Sequence, residues 1–348
     1  MKILAIETSC DETAAAVVDN RRVLSNVIFS QINIHQKYGG VYPLLAKRAH
    51  EDKIDLVIEK ALKIGQIRIR EIDAVAVTFG PGLVIALEVG LNKACELASK
   101  YHKILIPVDH LEGHIYSCFA QNREGRPLRD FSFPFLALIV SGGHTSLIRV
   151  TNHAEYEIIG RTLDDAAGEA LDKAAKILGM SYPGGPIIEE LAKEGNPGFL
   201  DLPIPMQKHP GLDFSYSGLK TAFKNKLKKL SQRQIVSNLP DLAASFQEAV
   251  FISIINRLKK AIIQTKLDLL VVGGGVLANK KLRKMIKRVA KENKIVAYFP
   301  TNERFIGDNA AMIGVAAFFK YQRGIYLKDN FNRLDRVART DLKLWVKN

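Results

Sequence analysis

The sequence predicts an α/β fold assembled from two related halves. Three observations carry this. Strand-like and helix-like segments alternate along the whole chain. A strand, a small polar turn and a second strand open the chain at 3–6 and 14–18 and recur at 135–140 and 146–150, which suggests an internal duplication. The length, 348 residues, is that of about two domains. The polar stretch 121–134, with Gly, Pro and Arg, places the division between halves at 1–125 and 126–348.

The elements follow in order. The apolar run 3–6 meets the polar turn Glu7-Thr8-Ser9-Cys10-Asp11-Glu12-Thr13, and 14–18 returns as a strand. Residues 46–63 carry Leu and Ile on one helical face. A short strand over 74–77 ends in Phe79-Gly80-Pro81-Gly82, and a helix follows over 84–101. The strand 104–108 leads directly into His110-Leu111-Glu112-Gly113-His114. In the rear half, 135–140 runs into Ser141-Gly142-Gly143-His144-Thr145. Residues 163–178 read as a helix, and Tyr182-Pro183-Gly184-Gly185-Pro186 as a turn. A long amphipathic helix spans 241–260, and strand 269–272 delivers Gly273-Gly274-Gly275. Helix 277–293, strand 295–299 and a final helix opening at Gly307-Asp308-Asn309 complete the chain.

Composition narrows the class. Hydrophobic content of 47% with 25% charged residues is that of an ordinary globular protein. No window reaches 18 apolar residues, so no membrane span is expected, and the first apolar run meets Glu7 too soon for a secretory leader. Cys10, Cys95 and Cys118 are few, odd in number and without CxxC spacing, which argues for a reducing cytoplasm rather than a disulfide framework. The net charge of +14 favours polyanionic partners. The charge is clustered in residues 220–233, in residues 280–294, and in Arg323, Lys328, Arg333, Arg336 and Arg339. A lysine-rich solvated face is the plainer account of such clusters.

The sharpest chemical signal is the pair His110 and His114. Four residues apart on a helix, both rings share one face. With one carboxylate, such as Asp308, they form a two-His, one-acid set with open positions, suited to Fe(II) or a catalytic zinc. A surface helix that happens to carry two histidines is the bland alternative. The string invites comparison with the HExxH of zinc proteases, but Glu112 sits about 200° around the helix from His110 and cannot easily activate a metal-bound water. The glycine turns at 80–82, 141–143 and 273–275 each follow a strand, where backbone N–H groups can cradle phosphate. None has the Rossmann or P-loop spacing, so tight turns remain the alternative for each. Asp11 and Glu12 could hold a cation or act as a base, or be solvated turn acids.

Taken together, these strings resemble the TsaD (Gcp/YgjD) family. They include residues 6–13, Gly80-Pro81-Gly82-Leu83, His110 to His114, 140–145, 164–169, 213–221, Gly274-Gly275-Val276 with Ala278-Asn279, and Asp308-Asn309-Ala310-Ala311-Met312, in order along the chain. Family members are tRNA N6-adenosine threonylcarbamoyltransferases of the ASKHA fold, shared with actin, heat-shock chaperones and hexokinase. The resemblance implies two duplicated lobes around a central cleft. It implies one divalent metal ion on His110, His114 and Asp308, iron(II) first and zinc second. It implies that Ile139, Val140, Ser141, Gly142, Gly143, Asp172, Gly185, Glu189 and Asn279 contact the substrate threonylcarbamoyl-AMP, with Asp11 and Glu12 as the catalytic acidic pair. The acceptor would be the adenosine 3′ of the anticodon in tRNAs reading ANN codons. Implied partners are tRNA, a shorter TsaB-like paralogue forming a heterodimer, and a TsaE-like ATPase through which ATP and magnesium would act. The chain departs from the family at Ile85, Glu88 and Ile306. The competing classes are an ASKHA ATPase or phosphotransferase, whose sign would be a water-activating acid without a histidine pair, a metalloprotease, and a non-catalytic scaffold lacking the pair.

Overall fold

A computed structural model describes residues 1–129, 131–331 and Leu334. The first half folds as β1 (Lys2–Glu7), β2 (Glu12–Asp19), β3 (Arg22–Ser30), α1 (Ile32–His35), α2 (Pro43–Gly65), β4 (Ala74–Gly80), α3 (Val84–Lys100), β5 (Ile104–Asp109) and α4 (His110–Tyr116). Its sheet has the order β3-β2-β1-β4-β5, with β1 antiparallel to β2 and parallel to β4.

The second half folds as β6 (Phe135–Val140), β7 (Thr145–Asn152), β8 (Glu155–Arg161), α5 (Ala167–Ile177), α6 (Gly184–Ala192), α7 (Ser217–Leu227), α8 (Gln232–Ser237), α9 (Leu239–Thr265), β9 (Leu269–Gly273), α10 (Lys280–Glu292), β10 (Val296–Tyr298) and α11 (Ala310–Gln322). Its sheet order, β10-β9-β6-β7-β8, repeats the first when β6 is laid on β1 and β9 on β4. The directions also repeat: β6 is antiparallel to β7 and parallel to β9. The duplication suggested by the two hairpins is thus a duplication of whole five-stranded sheets.

The central strands are apolar because both faces are covered. Along β6, Leu136, Leu138 and Val140 enter the core under α5 and α9, while Ala137 and Ile139 enter the layer between the sheets. That middle layer also takes Ile3 and Ala5 of β1, Val108 of β5, Ile115 of α4 and Ile313 of α11. α11, although late in the chain, packs on β1 and β2 of the first sheet. The residues just before it are thereby carried across to the front half.

The site lies at the carboxyl ends of β1, β5, β6 and β9, where parallel strands open into a crevice. Two glycines set its floor. A Cβ on Gly273 would lie 2.4 Å from the carbonyl oxygen of His114, so β9 backs directly onto α4. Gly274 takes φ +101°, and a Cβ there would lie 2.3 Å from the carbonyl oxygen of Val140.

Several expectations shift in detail. The edge strands β3 and β8 are additional. The helix expected over 163–178 begins only at Ala167, because Asp164 is spent as an acceptor for the backbone N–H groups of Tyr216 and Ser217 at the start of α7. The turn after Tyr182 is itself the entry to α6. Among the described residues no helix is long and apolar enough to cross a membrane, and Cys10, Cys95 and Cys118 form no disulfide.

Candidate active site

β5 ends in Asp109, which N-caps α4 by accepting from the backbone N–H of Leu111 at 2.8 Å. The cap starts the helix at His110, so both imidazoles fall on one face with ring centroids 4.7 Å apart. Asp308 arrives from the loop before α11, where Asn309 caps the helix by accepting from the N–H of Met312. Its Oδ1 lies 3.4 Å from His110 Nε2 and 3.2 Å from His114 Nε2. One donor atom from each of the three residues falls within 4.8 Å of the others. Two ligands about 2.1 Å from one ion stand about 3.0–3.5 Å apart at angles between right and tetrahedral, so the two separations between Asp308 and the imidazoles fit a shared small cation.

Three further observations support that fit. His114 is fully buried, yet neither of its ring nitrogens has a hydrogen-bond partner among the described residues; the contact with Asp308 lacks hydrogen-bond alignment. An orphaned buried imidazole is costly unless something accepts its lone pair. Glu7, fully buried at the end of β1, places Oε2 3.1 Å from His110 Nδ1. Such a carboxylate behind a histidine is the usual outer support of a metal ligand. Finally, the buried Glu7 and the partly exposed Asp308 together call for positive charge. Burial opposes a proton on His110, but the charges of Asp308 and Glu7 overcome it and hold the imidazole well above its usual range. Burial likewise opposes charge on Asp308, which His110 nonetheless holds well below the ordinary carboxylate range. Burial keeps His114 neutral. Asp308, about a fifth exposed, marks the open side of the set.

Glu112 faces away. Its Oε1 accepts from the Tyr156 hydroxyl at 2.6 Å and its Oε2 meets Lys320 Nζ at 3.2 Å. It is a buried anchor tying α4 to β8 and α11, not a base for a metal-bound water.

A cleft of about 160 Å³ is lined by Gly142, Asp172, Gly185, Glu189, Gly275 and Asn279 among others, and it adjoins the triad where a Cβ on Gly275 would lie 3.9 Å from Gly307 Cα, next to Asp308. Asp172 Oδ1 accepts from the N–H groups of Gly184 and Gly185 at 2.8 and 2.9 Å, which caps α6. Burial, partly offset by those two bonds, raises its carboxyl. Glu189 Oε1 accepts from the N–H of Lys280 at 2.8 Å. Asn279 caps α10 through Oδ1 and donates to Gln247 Oε1 at 2.7 Å, leaving one amide proton for the cleft. Ile139 and Val140 are fully buried in β6 and engaged in the ladder to β7. Their side chains offer no surface to the cleft; the glycine turn that follows them does. Ser141 accepts from the N–H of His144 at 3.1 Å and so shapes that turn, with Gly143 inside it.

Asp11 and Glu12 stand at the β1–β2 turn. Asp11 Oδ2 accepts from Tyr182 Oη at 3.1 Å across the gap between lobes. Burial first, and the charge of Asp11 second, push the Glu12 carboxyl well above its usual range. Glu7 and Tyr182 are the site residues that sequence reasoning overlooked. A tyrosine before a Pro-Gly-Gly helix entry was the available signal for Tyr182; an acid ending an apolar run carries none for Glu7.

A family model described as TsaD, tRNA N6-adenosine threonylcarbamoyltransferase, matches residues 22–315. A Clostridium kluyveri protein of that name is 46% identical over 339 residues, 97% of each chain. A Syntrophotalea carbinolica protein of the same name is 48% identical over 318 residues, 91% of this chain and 90% of its own. Among solved structures, full-length HypF in its phosphate- and nucleotide-bound form superposes with a TM-score of 0.60 at 12% identity, over 92% of this chain and 46% of that one. The activator of 2-hydroxyisocaproyl-CoA dehydratase from Clostridium difficile with bound ADPNP gives a TM-score of 0.51 at 13% identity, over 93% and 97% of the two chains. The fold is therefore ASKHA, as the paired sheets indicate. On the extent and identity of these matches, the chain belongs to the TsaD family of tRNA N6-adenosine threonylcarbamoyltransferases.

Proposed function

We propose that the protein transfers the threonylcarbamoyl group of threonylcarbamoyl-AMP to N6 of the adenosine 3′ of the anticodon in tRNAs reading ANN codons. The observation that carries this reading is the convergence of His110, His114 and Asp308 beside the cleft of Gly142, Asp172 and Asn279. Iron(II) fits a two-His, one-carboxylate set with open positions best, and zinc is the second choice. The bound ion would supply a grip on the threonyl part and Lewis acidity at the carbonyl under attack.

The chain's own residues do the rest. The adenine amine is a weak nucleophile because its lone pair is delocalised into the ring. As the N6–carbonyl bond forms, an N6 proton must leave, and the Glu12–Asp11 pair is the acceptor. Burial makes the Glu12 carboxylate a stronger base than usual once it is ionised, and general-base help is worth roughly 10²–10⁴ in rate. The bond that breaks joins the carbonyl carbon to the phosphate oxygen of AMP. The glycine turn at 141–143 offers N–H dipoles to the departing phosphate. Asp172 and Glu189 each engage one carboxylate oxygen with the backbone, and the second oxygen of each suits the ribose hydroxyls. Tyr182 holds Asp11 in place.

A TsaB-like paralogue, a TsaE-like ATPase using ATP and magnesium, and a cytoplasmic setting complete the proposal. Its test is His114→Ala and Asp308→Ala in the reconstituted reaction, with nucleosides read by mass spectrometry. The His114 ring makes no aligned hydrogen bond whose loss would strand a buried donor or acceptor, so that variant should stay folded by circular dichroism. Both variants should fall to background threonylcarbamoyladenosine. Full transfer in both would remove the triad from the reaction.

A further inference from the structure

Helix α10 carries more positive charge than its own stability favours. Lys280, Lys284, Lys287 and Lys291 are all exposed. At 100° per residue they fall within about 60° of arc, and they extend for about 16 Å along the axis. Spacings of three and four residues make them neighbours, and like-charge neighbours destabilise a helix. The first turn contains no acid; Lys280, Lys281 and Arg283 instead stand at the positive end of the helix dipole. The flanking cations find carboxylates, Lys281 on Glu248 and Arg288 on Glu292. The four stripe lysines have none within ion-pair distance among the described residues. Lys287 lies over the Phe299 ring, 5.5 Å from its centroid.

The position of the stripe is as informative as its charge. It begins at the cleft: Asn279 caps the helix, and Glu189, a lining residue, accepts from the N–H of Lys280. From there it runs outward. By contrast, Lys220 and Lys173 near α7 are tied to Asp165.

We infer that Lys280, Lys284, Lys287 and Lys291 dock the phosphodiester backbone of the RNA substrate and lead it to the cleft. This rests on the transferase reading above. A regular row of unneutralised charges, long enough for several consecutive phosphates of one strand, is complementary to a polyanion and carries no base-reading geometry. Docking through the backbone fits an enzyme that must accept several tRNAs.

The test compares the full-length chain with a K284E/K287E/K291E variant. The measurements are binding of an anticodon-arm transcript across a salt series, transfer kinetics in the reconstituted reaction, and thermal melting. The variant should raise KM for tRNA about tenfold or more and leave kcat within about twofold. The slope of log K against log salt should fall by about two to three units. Its melting temperature should hold or rise, since the glutamates relieve repulsion. An unchanged KM and salt slope would overturn the assignment. So would charge-dependent binding to phosphatidylserine vesicles in place of RNA. If the wild type binds RNA with a steep salt slope that the variant loses, yet transfers nothing, the transferase reading fails while the docking surface stands.

Discussion

At the level of single residues, the triad was legible because two of its members share one helical turn. Asp308, 194 residues beyond His114, was a candidate third ligand provided the two halves met at a cleft, and the family resemblance implied the same set. Glu7 was not legible. In sequence it is one acid at the end of an apolar run, indistinguishable from a solvated turn residue. Only the fold shows it fully buried, accepting from Thr78 Oγ1 and Ser9 N at 2.5 Å each and facing His110 Nδ1. This support fixes which ring nitrogen of His110 is left for the ion. Glu7→Gln keeps the shape and one acceptor oxygen but removes the charge. Metal affinity, measured by competition with a chelator, should fall about 10–100-fold. Transfer should fall with it at limiting metal and recover when metal is in excess. Unaltered affinity would mean that Glu7 serves only the packing of β1.

At the level of elements, central strands were legible and edges were not. β1, β4, β6 and β9 are buried on both faces and read as unbroken apolar runs. β3 and β8 each keep much of one face in solvent, so their polar residues broke the pattern. α4 was legible as a ligand-bearing helix, but its dependence on Gly113 was not. A Cβ there would lie 2.8 Å from Ile313 Cδ1 and 3.1 Å from Met312 Cγ, so Gly113 lets α11 approach the helix that carries both histidines. Asp308 is held just ahead of α11, and the distance between the two helices sets the triad. Gly113→Ala should cost about 1–3 kcal/mol by overpacking and weaken metal binding. Removing the offending methyl with Ile313→Val should restore much of both. Denaturant melts and metal titrations of the single and double variants decide this. A double variant no better than the single would place the strain elsewhere.

At the level of the whole molecule, the two lobes meet at an aromatic joint. His153, in the β7–β8 turn, stacks on Phe319 of α11 with ring centroids 4.1 Å apart. It also crosses Phe131 and Phe133 of the segment between the halves, at 4.6 and 4.8 Å. Tyr116 Oη, at the end of α4, lies 2.7 Å from His153 Nδ1, in hydrogen-bond contact with the ring. The joint thus ties the hairpin of the second sheet to the helices beside the triad. Burial first, with Arg323 and Arg21 adding positive charge, lowers the His153 imidazole to about 4. An unfolded histidine takes its proton near 6.5. Between those values the unfolded chain binds more protons than the folded one, so stability rises with pH through this window and is lost as pH falls from about 6.5 toward 4. His144, lowered to about 4 by burial and by the nearby His110 and His114, acts in the same direction. His153→Gln keeps an acceptor for Tyr116 but cannot titrate. The slope of unfolding free energy against pH between 4 and 6.5 should therefore flatten by up to about one proton, while stability at pH 8 drops slightly for the lost stacking. Identical slopes in the two proteins would show that His153 is already charged in the fold, and the joint would then have to be held by something other than a neutral ring.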